Sequence, residues 1–80
     1  MSRGYSLHLR DLNAKADKNK LGVRLGRACI KYDVPVTVVA KRMGVTRTTV
    51  YNWFCGVSAP QPALASVVET YIANLENAVA

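Results

Sequence analysis

Four residues with hydrogen-bonding heads, Arg47, Thr48, Tyr51 and Asn52, lie within six consecutive positions. At 3.6 residues per turn they share one side of a helix. An arginine fork matches guanine O6 and N7, and an asparagine amide matches adenine N6 and N7 in the same two-pronged way. A threonine offers a hydroxyl and a methyl that can meet a thymine methyl, and a tyrosine can do either job or reach a phosphate. Together these groups suit the reading of base edges. Acid–base chemistry has no comparable support. One histidine, His8, and five scattered acids show no Ser-His or metal-ligand spacing. No catalytic residue, metal site or cofactor is therefore expected.

The elements that position these four residues are bracketed by turn chemistry. Upstream, Val36, Val39, Ala40 and Met43 recur at helical spacing and define an apolar face of about two turns. Gly44 can take positive φ where that helix ends, and Val45 plugs the corner. Thr46 is a good N-cap for a second helix, closed by Gly56. In that helix Val50 and Trp53 turn inward with Val45, while the four polar residues turn out. The stretch 36–56 thus reads as a helix-turn-helix, with the helix 46–55 entering a major groove by its N-terminal half. Thr37, Lys41, Arg42 and Thr46 would then hold the phosphate backbone, joined by Arg24, Lys31 and, in the following loop, Ser58.

In these residues the chain resembles the phage repressor and Cro type of helix-turn-helix protein. Ala40, Gly44, Val45, Thr46, Val50, Trp53 and Gly56, with Pro60 after them, match that family's pattern, and the likeness runs from about Leu21 to Leu75. It implies an all-α, lambda-repressor-like bundle of four helices, or five. It also implies a transcriptional regulator, bacterial or phage in origin, that blocks or adjusts transcription at an operator. Relatives commonly dimerise through their C-terminal helices, which implies a palindromic site with half-sites about 34 Å apart. Two positions depart from the family. Val36 stands where a phosphate-clamping Gln is common, and Cys29 and Phe54 stand where an Arg–Glu ion pair is common. An apolar contact replaces the pair, and the alternative gains ground that the fold serves a protein partner such as host RNA polymerase.

Eighty residues allow a single domain, 1–80, with a small core. The net charge of +6 is lopsided: all eleven Lys and Arg lie between Arg3 and Arg47 with only three acids among them, net +8, and the remainder carries two acids, Glu69 and Glu76. A basic half suits a polyanion such as double-stranded DNA. Cys29 and Cys55 form no disulfide framework and read as reduced thiols. No 18-residue apolar run and no secretion signal is found, so the expected location is the cytoplasm of a bacterium or phage-infected host, without membrane contact.

Residues 1–17 are polar and basic, with Tyr5, Leu7 and Leu9 their main apolar groups. They read as a basic N-terminal arm outside the core, frayed, carried to DNA, or forming a short strand with a second copy. A helix is expected from about Lys18 to Tyr32, with a stripe at Leu21, Leu25, Ala28, Cys29 and Tyr32 and a cationic ridge at Lys20, Arg24, Arg27 and Lys31. Gly22 and Gly26 weaken that helix by about 1 kcal/mol each, so close packing is expected there. Asp33 and Pro35 end it. After a Pro-stiffened loop, a last helix is expected over 62–77. Its apolar stripe is broader than a small core requires, and Leu64, Val68, Tyr71, Ile72 and Leu75 are the expected dimer interface of a homodimer.

Overall fold

The computed structural model describes residues 5–78. Five helices follow in order: α1 (Leu7–Lys15), α2 (Leu21–Lys31), α3 (Val36–Met43), α4 (Arg47–Cys55) and α5 (Pro62–Ala78), with no strand among the described residues. The all-α expectation is met at five helices. The Cα radius of gyration is 11.3 Å, close to the ~11.6 Å of one 80-residue domain.

One capping device ends three helices in succession. Val34 N–H donates to Cys29 O at 2.9 Å, Val45 N–H to Ala40 O at 3.0 Å and Val57 N–H to Asn52 O at 2.9 Å. In each case the residue before the donor is left-handed: Asp33 at φ 57°, Gly44 at φ 69° and Gly56 at φ 78°. This six-to-one closure satisfies carbonyls that a helix C-terminus leaves free; Val34 and Val45 are half-buried at their corners, whereas Val57 is exposed at the third. Two of the three left-handed positions carry glycine, and Asp33 takes the strained form with a Cβ.

Helix α2 is the centre. Its stripe includes the fully buried Leu25 and Cys29, and a second buried side, Gly22, Val23 and Gly26, was not part of the expected stripe. A Cβ on Gly22 would lie 2.7 Å from Trp53 Cβ and Trp53 O, and one on Gly26 would lie 2.8 Å from Phe54 Cγ. The two glycines therefore let α4 lie against α2, which is the close packing their presence requires. The helix begins at Leu21 rather than Lys18, because Asp17 Oδ1 accepts from Asn19 N–H at 2.9 Å and holds that segment in a turn.

The expectation for residues 1–17 is overturned for the part described. Residues 7–15 form α1, capped by Ser6, whose hydroxyl accepts from Leu9 N–H at 3.1 Å. The segment is docked by polar anchors. Tyr5 is buried, donates its hydroxyl to Val34 O and sets its ring 6.2 Å from that of Phe54. Asn13, 3% exposed, donates its amide to Val23 O at 3.2 Å and Phe54 O at 2.8 Å. A strand through Tyr5, Leu7 and Leu9 does not form, and Leu7 is 79% exposed. Residues 1–4 lie outside the described part.

The expected dimer interface is corrected at its centre. Val68 is fully buried and Ile72 is 6% exposed, both inside the core of their own chain. Leu64, Tyr71 and Leu75 are half-buried and pack against that same core. Most of the broad stripe of α5 is turned inward because α5 packs against α2 and also touches α3, while Val67 stays 44% exposed.

Candidate nucleic-acid interface

Helices α3 and α4 are joined by the three residues 44–46. Thr46 caps α4 as expected: Thr49 N–H donates to its Oγ1 at 3.2 Å, and the two threonine hydroxyls lie 3.0 Å apart. A phosphate contact by Thr46 would compete with Thr49 for that hydroxyl. The first turn of α4 holds no acid, so its free N–H groups and Arg47 leave this end electropositive.

The inward side of α4 is Val50, Trp53 and Phe54, all buried. With that side locked, Arg47, Thr48 and Tyr51 stand exposed together, and Asn52 is half-buried beside them. Neither the Arg47 nor the Lys41 side chain has a hydrogen-bond or ion-pair partner among the described residues. Thr37, Lys41 and Ser58 are exposed. Arg42 turns instead toward α5, its guanidinium 5.9 Å from the centre of the Tyr71 ring.

Arg24 and Lys31 do not join this group. Gly22 and Gly26 face α4, and at 100° per residue Arg24, Arg27 and Lys31 project from the opposite side of α2. The ridge is also engaged at home. Arg24 pairs with Glu69 at 3.2 Å, Arg27 donates to Ala14 O at 3.1 Å, and Lys31 Nζ sits 5.3 Å from the Tyr32 ring centre. Lys20, expected in the same ridge, reaches instead to the end of α4 and donates to Gly56 O at 3.0 Å. A positive ridge read from spacing alone could not show that α4 lies behind it.

Burial sets the titration of the thiols and two of the tyrosines. Cys29 is pushed up to about 12 by desolvation, and Cys55 is raised for the same reason. The Tyr5 hydroxyl is raised by burial first and by Cys29 second. Tyr71 is raised by burial and Cys29 against the opposing charge of Arg42. Thiols held protonated at neutral pH are poor nucleophiles and poor metal ligands. Among the described residues no three His, Cys, Asp or Glu side chains cluster to hold a metal ion, and no helix is long and apolar enough to cross a membrane.

Comparison with protein-family models, curated proteins and solved structures finds no match to this chain.

Proposed function

We propose that the protein is a sequence-specific regulator of transcription that binds double-stranded DNA, of the phage repressor and Cro kind that its motif resembles. The observation that carries this reading is the division of α4. Its inner side is fully buried, which orients Arg47, Thr48, Tyr51 and Asn52 outward from a rigid base. Arg47 and Asn52 supply two-pronged base contacts, Thr48 and Tyr51 flank them, and Lys41 and Thr37 meet phosphates.

A homodimer on a palindromic operator remains part of the proposal, with its seam moved. Val68 and Ile72 are core, so the outward side of α5, where Val67 is 44% exposed among uncharged Ser66, Thr70 and Asn74, takes their place. The chain extends 31 × 30 × 23 Å, a size compatible with two copies side by side over half-sites one DNA turn, ~34 Å, apart. The setting is the cytoplasm of a bacterium or an infected host.

The test is binding to duplexes flanking the protein's own gene across a salt series, with Arg47→Ala as control. Tight, sequence-selective binding lost in Arg47→Ala supports the reading. Weak binding, equal on all fragments and abolished by modest salt, refutes it.

One observation favours a second reading, a protein partner such as RNA polymerase. The cationic side of α2 faces away from α4 and lines a cavity of about 240 Å³ with Ala28, Tyr32, Ile72 and the carboxylate of Glu76. For such a partner Arg47→Ala is silent and Lys31→Glu is not.

A further inference from the structure

A second cavity, of about 560 Å³, opens between the α3–α4 turn and the loop that leads into α5. Met43, Gly44 and Val45 form one wall, Ala63 and Leu64 the other, and Thr49 and Trp53 of α4 lie between them. No charged side chain lines it, in a chain with 20% charged residues and a net charge of +6. Its volume falls within the ~300–1,000 Å³ usual for small-molecule sites.

Trp53 gives the cavity its one specific demand. The residue is 2% exposed, and its indole N–H has no hydrogen-bond partner among the described residues. No side-chain nitrogen or oxygen among those residues is both sealed from solvent and unpartnered. The sliver of Trp53 that meets solvent therefore includes the N–H, and Trp53 is one of the residues lining this cavity. Indole nitrogen only donates, so a ligand that meets it there must bring the acceptor.

We propose that this cavity binds a small, neutral, aromatic molecule carrying one hydrogen-bond acceptor. Neutrality follows from the lining, since an ion would lose hydration there and meet no counter-charge. An aromatic ring fits walls built from an indole, a methionine and aliphatic side chains. The acceptor takes the Trp53 N–H, and the exposed Ser58 and Gln61 remain at the mouth. A ligand seated here touches the α3–α4 turn and Thr49 together, so it restrains α4. That last consequence rests on the proposed function; the binding itself does not.

The experiment is a ¹⁵N-correlation NMR titration of the full chain with three probes: acetophenone, a ring with one acceptor; ethylbenzene, a ring with none; and benzoate, a charged ring. Acetophenone is expected to give saturable shifts at the Trp53 indole N–H, Val45 and Leu64. Ethylbenzene should bind at least threefold more weakly, and benzoate should leave those signals in place. Ala63 is exposed in the first turn of α5, so Ala63→Leu fills the cavity and should weaken acetophenone at least fivefold while the remaining spectrum stays dispersed. Ala59→Leu fills the same space from the loop and serves if Ala63→Leu does not fold.

Shifts that grow linearly without saturation overturn the proposal, as does saturation untouched by either filling variant. It is also overturned if those signals move on dilution of the probe-free protein, because a second copy then occupies the cavity. Duplex binding is measured on separate, ligand-free samples, so failure of the operator reading and failure of this one are told apart.

Discussion

The two sides of α4 differ as much as any two surfaces of the molecule. Inward, Trp53 and Phe54 press on α2 so closely that two glycines are needed there, and the Phe54 carbonyl is held by Asn13. Outward, Arg47, Thr48 and Tyr51 stand exposed, and the Arg47 side chain has no partner among the described residues. One nine-residue helix thus carries stability on one side and the proposed recognition on the other. The difference teaches that each can be changed almost without the other, because a locked base lets exposed side chains vary at little structural cost.

The largest effect that would break this comparison comes from the glycines. Gly26→Ala gains helix propensity but drives a Cβ to 2.8 Å from the Phe54 ring and 2.6 Å from Asn13 Nδ2. A net loss of about 2–3 kcal/mol, the upper range for overpacking, is expected in the urea midpoint followed by circular dichroism. A neutral result would mean that α2 and α4 are not in close contact.

Asn13→Ala comes next. It leaves Val23 O and Phe54 O without their donor at a buried site, a loss of about 1–3 kcal/mol. Amide hydrogen exchange should show α1 released first. If protection in α1 is unchanged, other contacts hold that helix.

Gly44→Ala separates conformation from crowding. Its φ is 69°, yet nothing lies within 4 Å of where a Cβ would sit, so only the left-handed backbone resists. A cost of about 1–2 kcal/mol is expected, below that of Gly26→Ala.

Alkaline pH probes the buried side by charge. Cys29 is raised from 9.0 to about 12, so between those values the folded chain keeps a proton that the unfolded chain has lost. Stability is therefore fully present below pH 9 and falls as pH rises toward 12, by about 1 kcal/mol per pH unit from this group. Tyr5, raised in the same direction, steepens the fall. Cys29→Ala should flatten the slope between pH 9 and 11, even though its overall stability is lower.

The smallest effect on stability belongs to Arg47→Ala, within about 0.5 kcal/mol, because the side chain is exposed and has no partner among the described residues. If the proposed function holds, the same variant loses about 1–3 kcal/mol of discrimination at one base pair, read from binding to single-substituted duplexes. Equal losses in folding and in binding would erase the separation between the two sides.

Much of the middle of the chain was legible from sequence. Val36, Val39, Ala40 and Met43 are all buried, Thr46 caps α4, and Gly44 and Gly56 are left-handed as their positions suggested. The N-terminal segment was not legible, for a physical reason. Hydrophobic periodicity reports helices held by apolar stripes, and α1 is held by a tyrosine hydroxyl and an asparagine amide bonded to distant carbonyls. Such anchors look like surface residues until their acceptors are in place. A serine before the helix and Asp11 four residues ahead of Lys15, joined at 3.0 Å, were the local signals present. The inner face of α2 was hidden in the same way, because glycine carries no hydrophobic signal.

What the sequence alone determined is local: where helices begin and end, which turns need positive φ, and which side of α4 is polar. Short-range sterics and one-turn hydrogen bonds decide those matters, and both are written in neighbouring residues. What only the tertiary structure decided is the partner of each face. Val68 and Ile72 lie inward, Arg24 and Lys31 point away from α4, and a cavity opens beside Trp53. Those outcomes depend on how helices far apart in the chain divide one small core, and an apolar stripe is the same whether its own chain or another covers it.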